Sequence, residues 1–227
     1  MILNPIYLKN TDLLVICPTR NRPEQLERMY RSFYKTISAR TSLILCVDLD
    51  DDTEYDHLCT YSIEERTTIT KRINNVFNQY PNFKYYSIAN DDFEYMTVGW
   101  DYKMMQKGIN CPKDPNRDYP FPVTMVIDGD IPRKLGWLQM PTLNHLCGDN
   151  VWDTIGKRAN CFNYYDDVVV EHHHYLFNKA KVDDTYIKGQ MLHEEDTVSF
   201  INWLSNHSHR DCEKVKSIYE HPWDIAR

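Results

Sequence analysis

An α/β fold, with a central and mostly parallel sheet flanked by helices, is predicted by three observations. Short apolar runs alternate with amphipathic runs at helical spacing, turn residues separate them, and charged residues gather where each apolar run ends. The first run, Leu13 to Cys17 in "DLLVICPTRNRP", is too short for a helix, is closed by Pro18, and reads as a buried strand. In "PEQLERMYRSFYKTI" the apolar residues Leu26, Met29, Tyr30 and Phe33 form a helical stripe behind Pro23, whose fixed φ suits a first helical turn. "TSLILCVDLDDD" supplies a second strand, Leu43 to Val47, that runs into acids. "SIEERTTITKRINNVFNQYP" reads as a second helix with an Ile69, Ile73, Val76, Phe77 stripe and a capping box of Ser62 and Glu65. "FKYYSIANDD" is the third strand. Strands alternating with helices require crossover connections, which are right-handed and pair the strands in parallel.

The second half is less regular. "CPKDPNRDYPFP" reads as a loop, with four prolines and no periodicity. "VTMVIDGD" reads as a strand, followed by short helices near "IPRKLGWL" and in "DNVWDTIGKRA"; "YYDDVVVEHHH" is a further strand and "HEEDTVSFINWLSNHS" a helix. Without repeats, low-complexity tracts or linkers, residues 1–227 read as one domain: a binding half to about 110, a second half from about 111 to 190, and a helical tail over 191–227.

Composition narrows the function. The net charge of −7 offers no general attraction to nucleic acid, although it leaves room for a local basic groove. Seven cysteines without a C-x-x-C pair are neither a zinc ribbon nor a disulfide framework, and Cys17 and Cys46, inside apolar runs, read as core side chains. No segment approaches the roughly 20 apolar residues of a membrane span. The stretch "MILNPIYLKNTDLL" lacks the features of a signal peptide, so a soluble, cytoplasmic protein without membrane partners is expected. Sixteen tyrosines and five tryptophans suit core filling first, and stacking on sugars or bases second.

In parallel α/β sheets, ligands bind beyond the carboxyl ends of the strands. Those ends carry Thr19, Arg20 and Arg22, then Asp48 and Asp50, then Asp91 and Asp92. Basic and acidic clusters across one crevice are what a metal-bound diphosphate needs. Adjacent carboxylates repel unless water or a cation screens them, so Asp91 and Asp92 read either as a solvated turn or as ligands to magnesium or manganese, with Asn90 a third oxygen. His172, His173 and His174 follow an apolar run; on a strand the first and third share a face, and either could complete the coordination. Asp48, Asp50 and Asp52 mimic a calcium loop, but its sixth position is Thr53 and its twelfth Cys59, so that reading fails. The run is then either a solvated helix N-terminus or part of a nucleotide-binding loop. Asp149, at a helix start, reads first as an N-cap and second as a general base.

The motifs "VICPTRNRP", "CVDLDDD", "ANDDFEYMTVGWD", "GDNVWDTIG" and "VVVEHHH", in this order, resemble GT-A glycosyltransferases, particularly the small family-two-like enzymes of phages and large viruses. The resemblance implies a Rossmann-like GT-A fold, a metal (Mn2+ or Mg2+) and a nucleotide-sugar donor, with UDP the expected nucleotide. It places Pro18, Thr19, Arg20 and Arg22 in the donor-binding turn and Asp48 and Asp50 beside the base or ribose. "NDD" stands at the D-x-D motif, with Asn90 where that motif begins with Asp, Asp91 near the donor and Asp92 on the metal. His172 or His174 matches the late metal ligand and Asp149 the base of inverting members. "NKAKVDDTY" resembles the segment that closes over the donor, with Lys179 a phosphate contact.

Two other enzyme classes fit less well. A nucleotidyltransferase needs a glycine-rich phosphate loop that "CPTRNRP" lacks, and a glycoside hydrolase needs paired carboxylates but no metal. A catalytically silent sugar-binding protein is the alternative of another class. The expected acceptor is a carbohydrate hydroxyl. A hydroxymethylated base in viral DNA comes second, because "KRINN" with Arg133 and Lys134 is too sparse for a basic face.

Overall fold

The computed structural model describes residues 2–3, 11–38, 40–55 and 61–220. Its strands are β1 (Ile2–Leu3), β2 (Leu13–Thr19), β3 (Thr41–Asp48), β4 (Tyr61–Glu64), β5 (Tyr85–Ile88), β6 (Phe93–Tyr95), β7 (Ile109–Lys113), β8 (Val126–Asp128) and β9 (Phe162–His172). The helices are α1 (Pro23–Thr36), α2 (Ile69–Gln79), α3 (Trp100–Met104), α4 (Asp130–Leu135), α5 (Gly148–Arg158), α6 (Asp184–Met191), α7 (His193–Asn206) and α8 (Ser208–Tyr219). The strands form one sheet in the order β1-β4-β3-β2-β5-β8-β7-β9-β6.

The predicted parallel unit is present: β2 pairs in parallel with β3 on one side and β5 on the other. Beyond it the sheet is mixed, since β8 runs antiparallel to both β5 and β7, β9 is parallel to β7, and β6 is antiparallel to β9. The side-chain period of two divides the central strands between two cores. Leu14, Ile16, Ile44 and Cys46 face α2, α4, α5 and α8, through Ile73, Val76, Phe77, Ile131, Trp152 and Val215. Leu13, Val15, Cys17, Leu43, Leu45 and Val47 face α1 and α3, through Leu26, Met29, Phe33 and Trp100. Burial on both faces explains why these strands read as continuous apolar runs, and each buried Leu, Ile or Phe contributes about 1.5–3 kcal/mol.

Several expectations change. Ser62 does not cap a helix: it lies in β4, parallel to β3, and α2 starts at Ile69 with the Thr68 hydroxyl accepting from Lys71 N at 3.2 Å. The strand wins because Ser62 and Ile63 extend the β3 edge, whereas the apolar stripe of α2 begins only at Ile69. "CPK", read as loop, is the end of β7; Pro112 is tolerated where the parallel ladder with β9 becomes irregular. The tail is part of the core: Trp203, Cys212 and Val215 are buried, and the Tyr219 hydroxyl donates to Asp128 Oδ2 at 3.1 Å while accepting from Gly108 N at 3.1 Å. Cys17 and Cys46 are buried as expected. Cys59 and residues 221–227 lie outside the described residues, as does the N-terminal stretch apart from Ile2, Leu3 and positions 11–14. Among the described residues, no helix is long and apolar enough to cross a membrane.

Candidate active site

The C-terminal ends of β2, β3 and β5 open on one cleft. After β2, Asn21 adopts a left-handed conformation (φ 53°), which an Asn tolerates better than most residues, and the chain turns there between two arginines that take different partners. Arg20 Nη1 donates to Asp48 Oδ2 at 3.1 Å and Asp50 Oδ1 at 2.6 Å, and its Nη2 to Asp50 Oδ2 at 3.0 Å. Arg72, from α2, donates to Asp48 Oδ1 at 2.8 Å. Pro18 is the penultimate residue of β2, opposite Cys46 of β3.

Arg22 is buried and binds inward. Its Nη1 donates to Asp91 Oδ1 at 3.0 Å, while Nε and Nη2 grip both oxygens of Asp183 at 2.8 Å. Thr19 Oγ1 donates to Asp91 Oδ2 at 3.0 Å. Burial raises the Asp91 carboxyl to about 6 against the pull of Arg22, and the neighbouring Asp92 charge adds to the rise. Asp51, by contrast, builds a turn: it accepts from the Tyr55 hydroxyl at 2.7 Å and from Thr53 N at 3.0 Å. No helix begins at the Asp48–Asp52 run among the described residues, so its helix N-terminus reading does not hold.

Asp92 is the deepest acid of the pair, 2 % exposed. The β6–β9 ladder sets Phe93 opposite His172, and His173 N donates to the Asp92 carbonyl at 2.9 Å. His172 Nε2 therefore stands 3.2 Å from Asp92 Oδ1, and the His174 ring is 5.0 Å from that of His172. Burial works against ionisation of Asp92, but the His172 imidazole, the Tyr186 hydroxyl and Arg22 hold its carboxyl below the ordinary range. Burial, with the charge of His172, lowers His174 to about 4, so it is neutral at neutral pH, as a metal ligand must be. Its Nδ1 accepts from Leu176 N at 3.3 Å. Asn90, the expected third oxygen, is exposed.

These residues fit a divalent cation. Asp92 Oδ1 and both ring nitrogens of His172 are buried with no hydrogen-bond partner among the described residues. Asp92 Oδ1 and His172 Nε2 approach to 3.2 Å without hydrogen-bond alignment, so two buried ligand-type atoms converge there. A buried carboxylate oxygen left unmatched is costly, and a bound ion removes that cost.

Asp149 sits in the first turn of α5, half-buried, but is not its N-cap. Cys147 holds that position in a left-handed conformation (φ 66°), and Asp149 Oδ1 accepts from Asn150 N at 2.9 Å. Burial raises its carboxyl above the ordinary value, while the charges of Arg117 and His172 act in the opposite direction. Arg117 stacks over Phe121, its guanidinium 4.9 Å from the ring centroid, and lies 5.8 Å from that of Phe177.

Residues of α6 and its N-cap cover the cleft. Tyr186 donates to Asp92 Oδ2 at 2.7 Å and lies under the Arg22 guanidinium, 4.1 Å from its ring centroid; Asp183, the α6 N-cap, also accepts from Tyr186 N at 3.1 Å. Asp183 and Tyr186 belong to the segment expected to close over a donor, but nothing in their spacing marked them individually. Arg72 reads in sequence only as part of the sparse basic run "KRINN" because it lies on an amphipathic helix, and Arg117 carries no signal in its irregular, proline-rich stretch. Lys179 is not brought to Arg22: its Nζ stands 2.8 Å from Glu171 Oε1, opposite Glu94 in the ladder and on the other face of β9 from His172.

No family model matches the chain, and no curated protein matches it in sequence. Solved structures do match its fold. A mannosyltransferase from Pyrobaculum calidifontis, in complex with GDP-Man and Mn2+, is similar over 93% of this chain and 74% of its own, with a TM-score of 0.57 and 12% identity. The S. aureus TarS fragment 1–349 in complex with UDP is similar over 96% of this chain and 73% of its own (TM-score 0.55, 11% identity). The same fragment with UDP-GlcNAc gives 82% and 66% (TM-score 0.54, 11% identity). What these likenesses define is the fold, a mixed α/β, Rossmann-like architecture. At such identities the likeness extends to the fold, and the chemistry must be argued from this chain's own cleft.

Proposed function

We propose that the protein is a metal-dependent, inverting glycosyltransferase that moves a sugar from a nucleoside-diphosphate sugar, UDP-linked first, to a carbohydrate hydroxyl. The observation that carries this reading is the convergence of Asp92 and His172 as unmatched buried ligand atoms at the strand ends of this fold, with Asp149 within electrostatic reach of His172. Asp92 with His172, and His174 on the same side, would hold Mn2+ or Mg2+. The bound ion would supply positive charge against the negative charge that develops on the leaving diphosphate.

The chain's own residues do the rest. Asp48 and Asp50 receive the base and ribose, while Pro18, Thr19, Arg20 and Arg22 line the turn that faces the phosphates, with Asp91 orienting Arg22. Lys179 would have to leave Glu171 to reach a phosphate. Asp149 takes the proton of the acceptor hydroxyl as its oxygen attacks the anomeric carbon. The bond from that carbon to the phosphate oxygen breaks, and the nucleoside diphosphate departs with the electron pair. One displacement inverts the anomeric centre. The kinship with phage and large-virus enzymes rests on the five motifs alone, and the hydroxymethylated DNA base is the second acceptor reading.

The test is to incubate the protein with UDP-, GDP- and dTDP-sugars, manganese, and either glycan acceptors or hydroxymethylated DNA, and to read the product by NMR. Transfer with an inverted anomeric configuration is expected. Retention of configuration contradicts the single-base mechanism, and binding of a donor without transfer to any acceptor favours the silent binder.

A further inference from the structure

The end of strand β9, His172, and the residue that follows it, His173, present two histidines to opposite faces. His172 belongs to the cleft, and the other face carries a cluster that the proposed reaction does not use. Glu94 of β6 lies directly across the ladder from Glu171 of β9, and like charges in that position are destabilising. His173 completes the cluster: its Nε2 is 2.9 Å from Glu94 Oε2 and 3.3 Å from Glu171 Oε2, and the three ligand atoms lie within 4.8 Å of one another.

These contacts are not ordinary hydrogen bonds. His173 Nε2 is buried and has no aligned hydrogen-bond partner among the described residues. Zinc bonds to nitrogen and oxygen of about 2.0–2.1 Å give a tetrahedral edge of about 3.3 Å, close to the two distances from His173 Nε2 to the glutamates. Lys179 holds the other oxygen of Glu171, Oε1, at 2.8 Å, leaving Oε2 on the His173 side. Glu94 is 37% exposed at its side chain and lines a groove of about 990 Å³ between α1 and β6, which gives an ion a way in and a solvent ligand a fourth position.

We propose that Glu94, Glu171 and His173 form a second divalent-metal site, back to back with the cleft and suited to zinc. Imidazole with two carboxylates is a donor set that zinc takes readily, and three protein ligands with an open position leave room for water. Glu171 and His173 flank His172, so an ion here pins the strand end that presents His172 to the cleft.

The test uses the Asp92→Ala protein, so that the cleft does not contribute, in equilibrium dialysis against zinc followed by metal analysis. One zinc per chain and a rise in thermal midpoint with zinc are expected. Adding His173→Ala should weaken binding by at least about 100-fold, beyond the 10–100-fold that follows loss of an outer-shell partner. Glu94→Gln, at a half-exposed position that should not impair folding, should weaken zinc binding in the same direction and decides the matter if the His173 variant does not fold. No zinc bound by the Asp92→Ala protein, or binding undiminished in Glu94→Gln, overturns the site.

Discussion

On the β3 side of the cleft every carboxylate oxygen of Asp48 and Asp50 accepts from an arginine, Arg20 or Arg72. On the β9 side Asp92 Oδ1 and both nitrogens of His172 lack a hydrogen-bond partner among the described residues, although they are buried more deeply. Both ends use acids beside cations, so residue type does not distinguish them. The difference lies in what each end waits for. On the proposed reading the satisfied end would be a preformed recognition surface, and the unmatched end would recover the cost of its burial only when an ion and a diphosphate arrive.

The largest effect that can break this contrast is at the base. Asp149→Asn should lower turnover by about 100-fold or more, the range for losing a general base, with donor affinity unchanged. Unchanged turnover removes Asp149 from the chemistry.

Next comes stability. Arg22→Ala leaves Asp91 buried without its cation and should cost about 3–5 kcal/mol in urea unfolding, as for breaking a buried ion pair. Arg20→Ala, at the solvated end, should cost no more than about 1 kcal/mol. Equal losses at the two arginines would erase the distinction between the two ends.

The smallest effect is in pH. Asp149 must be ionised to accept a proton, and burial raises its carboxyl. Activity should therefore fall on acidification at a pH above the value of about 4 at which an exposed aspartate titrates. Arg117→Ala, which removes an opposing charge, should move that limb of the kcat/KM profile further up. An acid limb unmoved by that substitution would separate Arg117 from Asp149.

How much was legible in the sequence follows the same division. The doubly covered strands β2, β3 and β5 announce themselves as apolar runs, and the charges at their ends are adjacent in sequence to those runs. A period of two predicts His172 and His174 on one side; the strand ends at His172, yet the turn that follows, with His174 as its N-cap, leaves the two rings 5.0 Å apart. By contrast, β4 was hidden because Ser62, with Glu65 just beyond the strand, carries a capping pattern that the β3 edge overrides, and β7 because Pro112 and its neighbours resemble a loop. Asp183 and Tyr186 reach Arg22 and Asp92 across 161 and 94 residues, a closure that no local pattern encodes.

The most direct measurement is calorimetric titration of the wild-type and Asp92→Ala proteins with UDP-, GDP- and dTDP-sugars, with and without manganese. The account predicts that one donor binds the wild-type protein only with manganese, and that this dependence disappears in Asp92→Ala. Donor binding that is equal with and without the metal, or retained with manganese in the folded Asp92→Ala protein, would contradict it.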